Sequence, residues 1–120
     1  MPKILLVDDD PVYLDELSEG LQQLGHKVVC AASAREAINA FQSEPIDLVI
    51  SDVVMSGGGA ATLLHELHSL HPDIPFVAIT GRLEIASSPL FNSGMTEASA
   101  KIEKSASLFE IDTLIRELLK

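Results

Sequence analysis

Cysteine, positive charge and long apolar runs are all scarce in this chain, and each scarcity removes a class of function. The one cysteine, Cys30, excludes an internal disulfide and suits a reducing compartment. Its place beside Val28 and Val29 in a strand-like run predicts a buried, inert thiol. Only 8 Lys and Arg stand against 18 Asp and Glu, a formal charge of −10, which argues against direct contact with nucleic acid or an anionic membrane. No apolar run approaches the ~20 residues of a membrane span, and acids follow Val7 too soon for a secretory leader. A cytoplasmic location is the expectation. Without linker, repeat or low-complexity run, residues 1–120 read as a single domain. Two tempting motifs also fall short. Gly57-Gly58-Gly59 is not followed by the Gly-Lys-Ser/Thr of a phosphate loop. His65, His68 and His71 have no acid or cysteine to complete a metal set, and read as exposed helix surface.

What is present is organised around Ile46-Asp47-Leu48-Val49-Ile50-Ser51-Asp52, a short apolar run that ends on a carboxylate. Bounded by Pro45 and the three glycines, it reads as a strand buried on both faces. Ile4-Leu5-Leu6-Val7 is a second such strand and ends on Asp8-Asp9-Asp10. Asp10-Pro11 is an N-cap followed by proline at the first helical position, and Leu14, Leu17, Leu21 and Leu24 form one apolar helical face closed by Gly25. His26 to Ala31 supplies the next strand, and Ser33-Ala34-Arg35-Glu36 caps a helix with Ala37, Ile38 and Phe41 inward. Ala60, Leu63, Leu64, Leu67 and Leu70 mark a third helix, stopped near His71-Pro72. Pro75 to Thr80 and Ala98 to Glu103 are the last strands. Between them, Leu83 to Ser93 carries Pro89 in its middle, which predicts a short or irregular fourth helix. Ser107-Leu108-Phe109-Glu110 caps the final helix, with Leu108, Ile111, Ile115 and Leu118 as its inner face. Five strands alternating with helices imply an α/β fold, a doubly wound five-stranded parallel sheet with helices on both faces.

Four strand ends then present Asp8-Asp9, Asp52, Thr80 and Lys104, in the region where open α/β sheets place their chemistry. Clustered carboxylates repel: two charges 4 Å apart at an effective dielectric near 20 oppose each other by roughly 4 kcal/mol, so the cluster calls for a cation. All-oxygen ligands suit Mg²⁺. A hydroxyl and an ammonium opposite can hold phosphoryl oxygens, and a carboxylate aimed at that group can be its nucleophile. Asp10, as the natural helix cap, is set apart from this chemistry.

With these residues in place, the chain resembles a response-regulator receiver domain, the flavodoxin-like fold of two-component signalling, over its whole length. The resemblance is carried by Leu5-Leu6-Val7-Asp8-Asp9-Asp10-Pro11, Asp47-Leu48-Val49-Ile50-Ser51-Asp52-Val53-Val54-Met55, Ala78-Ile79-Thr80-Gly81 and Ile102-Glu103-Lys104. It implies that Asp52 accepts a phosphoryl group from a phosphohistidine on a sensor histidine kinase or histidine phosphotransfer protein. It implies Mg²⁺ held by Asp8 (mainly through water), Asp9, Asp52 and the Val54 carbonyl. Thr80 and Lys104 then bond the phosphoryl oxygens, with Thr80 moving inward as the switch. Such a chain is an autocatalytic phosphoacceptor whose product is altered protein–protein contacts, not a turnover enzyme.

Some positions depart from the family pattern. Ser105 stands where a proline usually follows the lysine, Lys101 (or Ala98, if Lys101 is the lysine) occupies the position of the switch aromatic, and Ser56 replaces another common proline. Lys101 also competes for the lysine role, but Ile102-Glu103-Lys104 matches the strand ending better and leaves Ser107 to cap the last helix. Val54, which cannot orient a water, and Arg82, placed to shield the phosphoryl group, imply slow self-dephosphorylation. Two other readings are kept. One is a phosphorylation-independent adaptor on the same fold. The other is a haloacid-dehalogenase-type phosphatase using Asp8, which Asp8-Asp9-Asp10-Pro11-Val12 resembles, although the acidic pair that family needs beyond its lysine is missing.

Overall fold

The computed structural model describes residues 2–52, 60–81 and 100–120. In chain order the elements are β1 (Lys3–Val7), α1 (Pro11–Gln23), β2 (Lys27–Ala31), α2 (Ala34–Ser43), β3 (Leu48–Asp52), α3 (Ala60–Leu70), β4 (Phe76–Thr80), β5 (Ala100–Glu103) and α4 (Leu108–Leu118). The strands form one parallel sheet in the order β2-β1-β3-β4-β5. Every residue of β3 and β4 is buried, which is why both read as unbroken apolar runs.

Successive side chains of a strand point to opposite faces, and the core divides accordingly. Leu5, Val7, Val49, Phe76 and Ala78 pack with Ala37 of α2 and Leu63, Leu64 and Leu67 of α3. Ile4, Leu6, Leu48, Ile50, Val77 and Ile79 pack with Leu17 and Leu21 of α1 and Ile111 and Ile115 of α4. Helices therefore cover both faces, as the alternating pattern implies. The helix starts also match the capping signals: Asp10, Ser33 and Ser107 each accept backbone N–H groups of the first turn. Gly25 takes the left-handed conformation after α1, at φ +97°. Within α1, Gly20 lets the start of α4 come close, since a Cβ there would lie 2.8 Å from Leu108 Cδ2.

Four expectations need correction. Cys30 is exposed, because β2 lies at the edge of the described sheet, where its neighbours Val28 and Val29 are also only half covered. Leu24, Leu70 and Leu108 are 39%, 52% and 38% exposed; the helical period runs on past the area that the sheet can cover. The segment Leu83 to Ser93, the three glycines, Val54 and Arg82 lie outside the described residues.

Away from the carboxyl ends of the strands, α1 and α4 are tied together by a polar cluster. His26, just before β2, has its Nε2 2.6 Å from Asp112 Oδ1. Arg116 Nε donates to both Asp112 oxygens, at 3.1 and 3.0 Å, and its Nη2 donates to the Leu24 carbonyl.

Candidate functional site

Strand register brings the chemistry to one place. Val7 pairs with Ser51 and Asp52 with Ile79, so Asp8 and Asp52 leave neighbouring strands at about the same level. Thr80 pairs with Glu103, and Lys104 N–H donates to the Thr80 carbonyl at 2.8 Å, carrying the lysine one step beyond the sheet. The order of strands turns back on itself around β1, and the crevice outside the carboxyl ends at such a point is where this architecture binds ligands.

Asp8, Asp9 and Asp52 each offer an oxygen, all within 4.8 Å of one another. Asp8 and Asp52 are buried and Asp9 is exposed. Lys104 Nζ lies 2.8 Å from Asp8 Oδ2 and 3.4 Å from Asp52 Oδ2. Burial opposes the ammonium's charge, but its contact with Asp8 and the charges of Asp52 and Asp8 outweigh that and hold Lys104 above the ordinary lysine pKa. Asp8 Oδ1 accepts the Asp10 N–H at 2.8 Å, and Asp10 Oδ1 in turn accepts Val12 N–H and Tyr13 N–H. Asp10 is thus the helix cap that its sequence context indicates.

The donor set fits a hard divalent cation. It is all oxygen, three acids gather around the Lys104 ammonium, and the enclosed Asp8 Oδ2 makes an ion pair but no hydrogen bond of good geometry among the described residues. Those properties suit Mg²⁺ better than a metal that prefers nitrogen or sulfur. Among the described residues no other group of acids, histidines and cysteines comes this close together.

Thr80 is 4% exposed at the end of β4. Lys101 projects from β5 and is exposed, whereas Lys104 stands between the acids. The peptide bond from Lys104 to Ser105 is trans. Val54 and Arg82 lie outside the described residues. One participant was not foreseen. Tyr13 places its ring centroid 4.8 Å from Lys104 Nζ. Burial, then the charges of Asp8 and Asp52, push its phenol up to about 12. Its only sequence signal was position: an aromatic in the first turn of a helix whose cap follows the acidic pair.

Lys104→Met is expected to cost about 1–3 kcal/mol in metal-free protein. This is below the value for a fully buried pair, because the ammonium is partly exposed and Asp8 keeps its backbone bond. Mg²⁺ should then raise the melting temperature more in the variant than in the parent, since no ammonium competes for Asp8. Unfolding in chelator and in Mg²⁺ checks both; equal Mg²⁺ gains in the two proteins would contradict this competition.

The sequence model described as the response regulator receiver domain matches residues 4–115. The sensor kinase CckA of Brucella abortus is 35% identical over 98% of this chain and 12% of its own length. The transcriptional regulatory protein GlrR of Escherichia coli is 38% identical over 64% of the chain and 17% of its own length. The chain thus spans only a small part of these curated relatives. Among solved structures, the response regulator TrrA of Thermotoga maritima in complex with Mg²⁺ and BeF superposes with a TM-score of 0.89 at 28% identity, covering 99% of this chain and all of that one. A CheY-like receiver domain from Methanospirillum hungatei gives 0.92 at 27% identity, covering 99% and 94%.

Proposed function

Because this chain belongs to the response regulator receiver domain family, we propose that it accepts a phosphoryl group on Asp52 and passes the event on as changed protein contacts. The observation that supports this most is the meeting of Asp8, Asp9 and Asp52 within 4.8 Å, with Lys104 reaching Asp8 and Asp52 from β5. In this reading a phosphohistidine on a sensor kinase or phosphotransfer protein is the donor. An Asp52 oxygen forms the new P–O bond as the P–N bond to histidine breaks, and the electron pair leaves on the imidazole nitrogen, which is then protonated. Asp8, Asp9, Asp52 and the Val54 carbonyl are the proposed holders of Mg²⁺, which when bound supplies positive charge to the phosphoryl oxygens. Lys104 and Thr80 bind the oxygens on the other side. The charge gained, about −1.5 to −2, draws Thr80 and its loop inward. Apolar Val54 and the cation Arg82 support a long-lived phosphoryl group.

The presence of Lys101 at the position of the family's switch aromatic, exposed on β5, favours one rival, an adaptor that ignores phosphate. Titration with beryllofluoride separates the two. A phosphoacceptor binds it only when Mg²⁺ is present and gains about 2.7 kcal/mol of stability at a 100-fold excess over Kd. The adaptor shows no melting shift and no amide NMR change at Asp52, Thr80 or Lys104.

A further inference from the structure

Tyr13 has no role in the proposal above, yet it lies against Lys104, one of the two side chains proposed to bind the phosphoryl oxygens. Lys104 has a long flexible stem, and its ammonium is strongly hydrated when free. Here the ammonium lies 4.8 Å from the centre of the Tyr13 ring while meeting Asp8 at 2.8 Å and Asp52 at 3.4 Å. The ring is itself fixed relative to the acids. Asp10 N–H donates to Asp8 Oδ1, and Asp10 Oδ1 accepts Tyr13 N–H, so one short chain of bonds sets the first turn of α1 against Asp8. One side of Tyr13 closes an apolar hollow with Leu17, Ile50 and Ile79. Another lines the groove that holds Lys104 and Ala106. The Tyr13 hydroxyl is enclosed and has no hydrogen-bond partner among the described residues, an arrangement that costs stability. The ring, not the hydroxyl, is therefore the part of Tyr13 that the site uses.

We propose that Tyr13 is a positioning residue: its ring holds the Lys104 ammonium over Asp8 and Asp52, already set for the oxygens of an incoming phosphoryl group. The inference rests on the phosphoacceptor reading of Asp52. A cation lying over an aromatic face is attracted by the ring's quadrupole, and that attraction grows when water is partly excluded. The ordering of a flexible lysine is met in advance rather than at the moment of binding.

The test uses the chain with Mg²⁺ and beryllofluoride, following bound beryllofluoride by ¹⁹F NMR and the emission of Tyr13. Tyr13 is the only tyrosine in a chain without tryptophan, so its emission is unambiguous. In the parent protein, emission should change as beryllofluoride binds, because the ammonium held beside the ring then divides its bonds between the acids and the fluorines. Tyr13→Phe should bind within roughly twofold of the parent and Tyr13→Leu roughly 2- to 30-fold more weakly, the range of a single cation–ring contact. A packing role alone would not single out an aromatic ring beside the ammonium or move the emission. Equal affinity in Tyr13→Leu and the parent overturns the inference while leaving the phosphoacceptor reading intact, as does an equal loss in Phe and Leu variants. Should Tyr13→Leu not fold, unchanged parent emission at full ¹⁹F occupancy overturns it equally. No bound ¹⁹F signal in the parent itself removes the phosphoacceptor reading and this inference with it.

Discussion

Asp112→Ala should cost about 1–3 kcal/mol, the expected loss when an enclosed hydrogen-bond partner is left unsatisfied. Asp112 is 9% exposed and His26 6%, and the carboxylate accepts from His26 Nε2 and from Arg116 Nε through both oxygens. Its removal leaves His26 enclosed without that partner, and Arg116 keeps its bond to the Leu24 carbonyl. The hydrogen bond with His26, helped by Arg116 and opposed by burial, holds the Asp112 carboxyl below its ordinary range. A group whose pKa is lower folded than unfolded contributes stability that is complete above the unfolded value. That stability is lost as pH falls through the folded one. The gap between parent and variant should thus be full above about pH 5 and shrink below about pH 4. Urea unfolding from pH 3 to 7 measures it. Asp112→Asn keeps the shape and removes only the charge, so it should fall between the two. A gap that does not change with pH would mean that packing, not the paired charge, is what Asp112 supplies.

Why some features were legible and others not follows from what each depends on. β1, β3 and β4 are covered on both faces, so their central residues had to be apolar, and their ends were marked where Asp8, Asp52 and Thr80 follow the run. Asp10, Ser33 and Ser107 act within one turn of helix, and local spacing suffices to find them. Cys30 depended on which strand lies at the edge, a property of sheet order that no local pattern carries. Leu70 and Leu108 depended on where the sheet stops beneath a helix. The contacts of Tyr13 with Lys104 and of His26 with Asp112 join opposite ends of the sequence. In each, one partner looks ordinary by itself: a ring in a leucine-rich helix, an acid in a helix of mixed polarity. The place of Lys104 was open to sequence because it turned on where the last strand ends: it lies one residue past Glu103, beside the acids.

Asp52→Asn is expected to reduce phosphoryl incorporation from acetyl phosphate by at least about 100-fold, because the amide lacks the nucleophilic oxygen and nothing else in the reaction replaces it. Asp8→Asn should behave differently. Asp8 is 3% exposed, with one oxygen bonded to Asp10 N–H and the other paired with Lys104, an environment that suits a charge-holding role more than attack. That variant should keep its label on Asp52 while needing more Mg²⁺. Borohydride trapping followed by peptide mass spectrometry reads the labelled position directly, without relying on rates. Label found on Asp8, surviving Asp52→Asn, would transfer the nucleophile to β1 and revive the phosphatase reading of Asp8-Asp9-Asp10. The two acids stand at one level on adjacent strands and share one ammonium. Distance therefore does not separate them, and the position of the trapped label does.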